Sequence, residues 1–310
     1  MDKLESAQFL LDAIKDGRDI GALDVSLEGS RFADLAFKEG NLSGNLQKAE
    51  FSGCRFAGMS FNGADLTGAS FTNCLFSDSS FAGASAPRAC FYLCQMDSLS
   101  VDGANFENAT FLSSSVQGLS RGREANLKSV IFLDCSLGEI DWSGSDLAFL
   151  VARDISVKSL DLGAANALGA QFPNLSCPAL EAAAADLSRI NLTGSRIPGA
   201  NFARSTMDGA ILMGADLSGA NLTGAAAPKA QFAGALLRGA NLRDLEAPYA
   251  DFSAADLEGA ATAGANFSYA DLHRAVFIAT GSGAKLEGAK ETDPQRLQAE
   301  DFIPFVARKI

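Results

Sequence analysis

Residues 215–224 read ADLSG ANLTG, and this stretch decides the fold because it repeats itself after five residues. The pattern recurs as ANLRD at 240–244, ADFSA ADLEG at 250–259 and ANFSY ADLHR at 265–274, and in the N-terminal half as ADLTG at 64–68. Each repeat has leucine or phenylalanine at its centre and a small residue two positions earlier, often with aspartate or asparagine between them. A fixed period of this kind predicts a stack of similar structural units.

The central residues keep one frame over long stretches, which single-residue shifts interrupt. A one-residue deletion after the first three repeats starts the frame that runs from Leu46 to Val116. One extra residue within 117–126 starts the frame that runs from Leu127 to Phe277, and a last shift precedes the closing segment GAKLEGAKETDPQRL. Long frames with rare shifts predict one continuous solenoid rather than several separate domains.

A period of five fits neither an α-helix, which repeats every 3.6 residues, nor a β-strand, which repeats every two. A solenoid with a corner every five residues explains it, because the central and small residues then point inward and the others face water. Proline supports the corners, since its fixed φ suits the start of a turn. Six of the eight prolines lie one residue after a centre: Pro87, Pro173, Pro178, Pro198, Pro228 and Pro248.

The motif A-(D/N)-(L/F)-X-X resembles that of the pentapeptide-repeat family over roughly residues 20–290. The resemblance implies an all-β solenoid, a right-handed quadrilateral β-helix with four repeats per coil and a short N-terminal capping helix. We divide the chain into a capping helix at 1–18, the β-helix at 19–290, and a C-terminal cap or dimerisation tail at 291–310. Within 2–17 the apolar stripe is predicted at Leu4, Ala7, Leu11 and Ile14.

Twenty residues per coil place equivalent positions in columns along the rod, about thirteen coils and about 60 Å long at a strand spacing of ~4.8 Å. One column of central residues is rich in phenylalanine: Phe51, Phe71, Phe91, Phe111, Phe132, Ala152, Phe172, Leu192, Leu212, Phe232, Phe252 and Leu272. A second column, of inward small residues, is Cys54, Cys74, Cys94, Ser114 and Cys135. These thiols could bind zinc, but we favour buried core thiols and predict neither a metal site nor a cofactor.

Composition and charge exclude several classes of function. The chain carries 37 Asp+Glu against 25 Lys+Arg, a formal charge of −12, whereas a binder of nucleic-acid phosphates normally has the opposite sign. The N-terminus has no apolar core typical of a signal peptide, and no stretch has the apolar length that spans a bilayer. Six cysteines in 310 residues do not predict a disulfide scaffold. We therefore expect a cytoplasmic protein that binds neither nucleic acid nor membrane directly.

An apolar patch is predicted on the outer side of the phenylalanine-rich column. Outward positions there hold apolar residues where Asp, Asn, Ser or Thr would be usual: Tyr92, Leu93, Leu112, Ile131, Leu133 and Val151. Coils ~5 Å apart would join them into one surface, and surfaces of this kind mark partner sites. The alternative is that the N-terminal segment or residues 117–126 fold back and cover the patch.

Two other sites are weaker. Asp141, Asp161 and Glu181 form an acidic column that either imitates phosphates or is simply a solvated surface. The tail residues Phe302, Phe305 and Ile310 either cover the last coil or join two rods, since some members of the family dimerise end to end.

No motif predicts catalysis. The single histidine, His273, is expected on the surface with no nucleophile or carboxylate placed by a recognisable motif, so we predict that the protein is not an enzyme. We predict a rigid scaffold or adaptor that binds a protein. The alternative, implied by the resemblance, is a DNA mimic that binds DNA gyrase or topoisomerase IV and inhibits or protects it. Against it, ~60 Å of duplex carries about 35 phosphate charges, far more than the net charge of −12.

Overall fold

The computed structural model describes residues 3–16, 20–117, 122–276 and 283–301. It has a helix at each end, α1 (Lys3–Lys15) and α2 (Pro294–Glu300). Between them lie short strands: β1 (Ala22–Ser26), β2 (Arg31–Ala33), β3 (Ala36–Asn45), β4 (Glu50–Ser52), β5 (Arg55–Ser60), β6 (Ser70–Thr72), β7 (Leu75–Ser77), β8 (Cys90–Tyr92), β9 (Gln95–Asp97), β10 (Thr110–Leu112), β11 (Ser115–Gln117), β12 (Ile131–Leu133), β13 (Ser136–Leu137), β14 (Glu139–Asp141), β15 (Val151–Ala152), β16 (Ser159–Asp161) and β17 (Leu180–Glu181).

All strand pairing is parallel, and strands pair with their equivalents in the next coil. One sheet has the order β1-β3-β5-β7-β9-β11-β13, a second β15-β12-β10-β8-β6-β4-β2, and a third β14-β16-β17. Farther along, single parallel bridges continue the same ladders, for example Asn201 to Asn221 and Asp251 to Asp271. The predicted all-β solenoid is therefore confirmed.

The register predicted from the frames is also confirmed. Phe32 pairs with Phe51 at a separation of 19 residues, Phe51 with Phe71 at 20, and Phe111 with Phe132 at 21. The deletion and the insertion are thus each absorbed within one coil, and the column stays continuous on both sides of them. The phenylalanine column is buried, with ring centroids 4.7–5.2 Å apart from Phe32 to Phe132.

The corners explain why glycine recurs two residues after the centre. That position takes a positive φ, for example 68° at Gly219 and 62° at Gly224, which glycine adopts without the strain of a Cβ. Where the residue is not glycine, its side chain commonly lies over a glycine in the next coil, as Phe149 does over Gly169. The residue at the corner therefore affects both the conformation of the turn and the packing between successive coils.

Helix α1 packs against β1 at the N-terminal end of the core, with a face that matches the predicted stripe only in part. Leu10 and Ala13 are buried, whereas Leu11, placed on the predicted stripe, is 36% exposed. Ala7 and Ile14 of the predicted stripe do pack against the core, so the buried face is displaced only in part, toward Leu10 and Ala13. Neither helix, within the residues described, has the length and hydrophobicity needed to cross a bilayer.

Candidate partner-binding surface

The predicted patch residues lie on the outer side of the second sheet. Tyr92, Leu112 and Leu133 are aligned in successive coils, since Leu112 pairs with both of the others. Ile131 and Val151 are aligned in the same way on the other side of the buried central column. Outward and inward side chains alternate along each strand, so burying Phe91, for example, exposes its neighbour Tyr92.

The described residues leave much of the patch open to solvent. Tyr92 is 43% exposed, Leu93 45%, Ile131 41% and Leu133 50%, while Leu112 and Val151 are half-buried. Most isolated apolar residues on a surface need no explanation, but seven on four consecutive coils form a continuous patch. We call this set the apolar patch: Tyr92, Leu93, Leu112, Ile131, Leu133, Phe149 and Val151.

Phe149 was not among the predicted patch residues. It lies two residues before Val151, at the corner that leads into the same face, with φ of 61° and 52% of its surface exposed. Its ring leans over the next coil, where a Cβ built on Gly169 would lie 2.9 Å from a ring carbon. The available sequence signal was an aromatic residue at a corner position that usually holds glycine, followed by glycine twenty residues later.

Charged side chains border the patch on both sides. Asp134 and Asp154, both exposed, follow Leu133 and Arg153 at the corner on one side. On the opposite side, Arg88 is exposed and Lys128 half-buried, in neighbouring corner columns that also hold Glu107. Both borders are therefore of mixed sign: Asp134, Asp154 and Arg153 give one a net charge of −1 (−2 + 1), and Arg88, Lys128 and Glu107 give the other +1 (+2 − 1).

The predicted acidic column lies on a different face. Asp141, Asp161 and Glu181 are aligned in β14, β16 and β17, as predicted. They line a surface groove of about 410 Å³, together with Glu139, Ile140, Ser159, Leu160 and Ala179. Sequence reasoning missed this groove.

An unusual corner accompanies the groove. Glu139 and Ser159 are extended residues of β14 and β16, whereas equivalent corners elsewhere take a positive φ. The inward position beside them holds the large residues Ile140 and Leu160, followed by Leu180 and then by Ala200 in the next coils. Large inward residues alone do not produce this corner, because Leu99 is buried in the same column beside Ser98, which keeps a φ of 57°.

The acids of the column are not free charges. The carboxylate of Asp141 accepts hydrogen bonds from Arg123 Nε at 2.9 Å and from the Ser143 hydroxyl at 2.7 Å. Burial would raise the pKa of Asp141, but these donors outweigh it and lower the pKa. Glu181 accepts from the side-chain amide of Asn201 at 2.8 Å. The column therefore presents less unpaired negative charge than three aligned acids suggest.

The cysteine column is part of the core. The thiols of Cys74 and Cys94 donate to the carbonyls of Phe51 and Phe71, at 3.5 and 3.4 Å. A hydrogen bond with Cys74, together with burial, raises the pKa of Cys54. Among the described residues, no group of three or more Cys, His, Asp and Glu is arranged to hold a metal ion.

Family models recognise the repeats directly. A model described as "Pentapeptide repeats (8 copies)" matches residues 185–224, 229–261 and 250–290. A second, "Pentapeptide repeats (9 copies)", matches residues 45–85. The chain is a pentapeptide-repeat protein.

Solved structures similar to this pentapeptide-repeat protein include HetL from the cyanobacterium Nostoc sp. strain PCC 7120, a pentapeptide-repeat protein involved in the regulation of heterocyst differentiation. HetL is 20% identical, with 91% of this chain and 92% of HetL covered and a TM-score of 0.23. Full-length QnrB1, a plasmid-mediated fluoroquinolone resistance protein, is 18% identical over 79% of this chain and 94% of its own, with a TM-score of 0.31. Rfr23 from the cyanobacterium Cyanothece 51142 is 29% identical over 33% of this chain and 60% of its own, with a TM-score of 0.17. A comparison with curated proteins found no match.

The C-terminal end of this pentapeptide-repeat protein corrects one prediction. His273 was expected on the surface, but it is 2% exposed because residues 293–300 fold back over it. The Asp293 amide donates to its Nδ1 at 3.3 Å, so Nε2 carries the proton and donates to Glu300 at 3.0 Å. His273 therefore holds α2 to the last coils and is not an exposed group. The predicted tail residues Phe302, Phe305 and Ile310 lie outside the described residues.

Glu300 makes the docking of α2 dependent on pH. Hydrogen bonds from His273 and Arg296 lower the pKa of Glu300 from 4.5 to about 2. Because the pKa is lower in the folded state, the stabilisation is complete above about pH 4.5 and is lost as the pH falls toward 2. We expect hydrogen-exchange protection of residues 293–301 to follow that course, and Glu300→Gln to reduce it at pH 7. Equal protection of the variant and the wild type at pH 7 would contradict this role.

Proposed function

We propose that this protein is a non-catalytic scaffold that binds a protein partner through the apolar patch. The observation that supports the proposal is a run of exposed and half-buried apolar side chains over four consecutive coils, with Tyr92, Leu112 and Leu133 aligned in one column. A contiguous apolar surface costs solvation free energy that burial against a partner recovers, at about 25 cal/mol per Å².

The rigidity of the surface also supports binding. Tyr92 and Leu133 flank the central residues Phe91 and Phe132, whose buried rings stack on Phe111 at 4.7 Å in both cases. A side chain carried by a backbone that is hydrogen-bonded to the coils above and below is pre-organised, so binding orders little that is not already ordered. The patch therefore suits a partner that docks without remodelling the rod.

The test is a pull-down from a lysate of the organism that carries the gene. We expect wild-type protein to retain a partner that the double variant Tyr92→Asp/Leu133→Asp loses, because two buried unpaired carboxylates are strongly unfavourable in an apolar interface. Met213→Asp is the matched control, since Met213 is 42% exposed and lies four coils farther along the same column as Leu133. Retention of the partner by the double variant, with its thermal unfolding unchanged, would refute the proposal.

The second candidate function, a DNA mimic that binds gyrase or topoisomerase IV, is favoured by the alignment of Asp141, Asp161 and Glu181 along a groove. It is the weaker candidate, because Arg123 neutralises part of that charge. Capture of gyrase or topoisomerase IV by both the wild type and the double variant would favour it over the scaffold.

A further inference from the structure

We infer that the partner element that binds the apolar patch is an amphipathic α-helix lying along the rod axis. This inference rests on the proposed function and names the kind of segment that the patch fits. Three features of the face support it. Its backbone amides are already hydrogen-bonded to neighbouring coils, its apolar side chains have a spacing close to that of helical turns, and its borders carry charges.

Among the described residues of this face, the backbone has no free hydrogen-bonding groups with which an extended peptide could pair within the patch. The amides of Cys90 and Ile131 donate to carbonyls of the preceding coil at 2.9 and 3.0 Å, and the amide of Leu93 donates to Leu112 of the next coil at 3.0 Å. Strand addition needs an open edge, and the side of the rod presents none within this patch. An extended segment on the patch would leave its own backbone groups facing apolar side chains, whereas a helix satisfies them internally.

The spacing of the side chains matches a helix. Coils repeat every ~4.8 Å and helical turns every ~5.4 Å, so the two differ by only about 2 Å over three steps. One apolar residue per turn can therefore contact Tyr92, Leu112 and Leu133 in order. In the fourth coil this column holds Arg153, and the apolar residues Phe149 and Val151 lie on the opposite side of the face. A helix of about 11–14 residues covers these four coils at ~1.5 Å per residue.

The face also forms a shallow trough that can hold the apolar stripe of a helix. Leu133 and Ile131 lie on either side of Phe132, whose side chain points inward, so two columns of outward side chains border a trough floored by backbone. The columns are two residues apart, about 6.6 Å. An apolar stripe at i, i+3, i+4 and i+7 lies in the trough, with its flanking residues above the borders.

The charges at the borders of the apolar patch predict the charges on the flanks of the partner helix. Asp134 and Asp154, offset in part by the exposed Arg153, leave a net negative charge that favours lysine or arginine on the flank beside Leu133, most of all next to Asp134. The other border, with Arg88, Glu107 and Lys128, carries one net positive charge and has a weaker preference, for acidic residues. The partner helix is therefore apolar on one stripe and basic on at least one flank.

Three fluorescently labelled 16-residue peptides of identical composition test the inference by anisotropy. The first places leucines at helical spacing with lysines along one flank, the second disperses the same leucines around the helix, and the third alternates them as in a strand. We expect the first to bind wild-type protein at least tenfold more tightly than the other two. Equal or tighter binding of the alternating peptide, or no binding of the helical one, would overturn the inference.

Variants of the rod locate the binding. Leu133→Asp should weaken the helical peptide at least tenfold, and Met213→Asp should leave it unchanged. The double variant Asp134→Lys/Asp154→Lys should weaken it by about threefold and reduce its salt dependence. Lysine is compatible with this corner conformation, since Lys48 and Lys229 adopt it with φ of 54° and 57°. Unchanged binding to Leu133→Asp would refute the inference.

The two proposals fail separately. If the pull-down partner is lost with Tyr92→Asp/Leu133→Asp but no helical peptide binds, the patch is a partner site and the helix inference is wrong. If the pull-down partner is retained by that variant, the patch is not the partner site and the proposed function is wrong.

Discussion

Replacement of Phe71 with alanine is expected to lower the free energy of unfolding by about 3–5 kcal/mol, the usual cost of deleting a buried aromatic ring. Phe71 is fully buried and stacks between Phe51 and Phe91, with ring centroids 5.0 and 4.9 Å away. The coils above and below are hydrogen-bonded to its own, so the structure cannot collapse readily into the cavity. Chemical unfolding followed by circular dichroism measures the effect.

Phe149→Ala is the matched control for that substitution. It removes the same ring from a side chain that is 52% exposed, so we expect a loss of less than about 1 kcal/mol. Similar losses for the two variants would contradict the register, because they would mean that Phe71 is no more buried than Phe149.

Replacement of Gly44 with alanine is expected to cost about 3 kcal/mol or more, from backbone strain of about 1–3 kcal/mol added to overpacking of similar size. Gly44 has φ of 93°, and a Cβ there would lie 2.5 Å from the carbonyl oxygen and 2.8 Å from the nitrogen of Val25. Those contacts are with backbone, which cannot rotate away. Thermal unfolding measures the loss of stability. Limited proteolysis should cleave α1 and β1 first, because, among the described strands, β3 is the single one that pairs with β1.

Gly63→Ala separates the two causes. Gly63 also has a positive φ, 72°, but nothing lies within 4 Å of the position its Cβ would take. Its loss should be only about 1–2 kcal/mol, the cost of a left-handed conformation for an L-residue. Equal losses at the two glycines would show that close approach of β1 to β3 contributes nothing.

The repeat could be recognised in the sequence because each five-residue unit has the same packing requirements. An inward Leu or Phe, a small residue and a turn follow one another regularly, so single-residue slips could be located before the structure, as the 21-residue step from Phe111 to Phe132 confirms. The same regularity placed Tyr92, Leu112 and Leu133 on one column and Asp141, Asp161 and Glu181 on another.

What escaped prediction depends on contacts between distant parts of the chain. His273 occupies an outward position of its repeat, and only the return of α2 buries it. The choice between Leu10 and Leu11 as the core residue of α1 depends on how the helix meets β1, which its own periodicity does not specify. The groove beside Asp161 lies at a corner where Glu139 and Ser159 are extended, a local backbone conformation that the repeat pattern does not specify.

The coils of 19, 20 and 21 residues from Phe32 to Phe132 have a consequence for how such a chain can change during evolution. An insertion or deletion of one residue is absorbed within one coil, and the side chains of the later coils keep their direction because the next repeat restarts the frame. Duplication or loss of twenty residues adds or removes one whole layer, about 4.8 Å of length, without moving any face. The distance between two surface features along the axis is therefore a heritable quantity that can be adjusted in single layers, while the surfaces themselves stay unchanged.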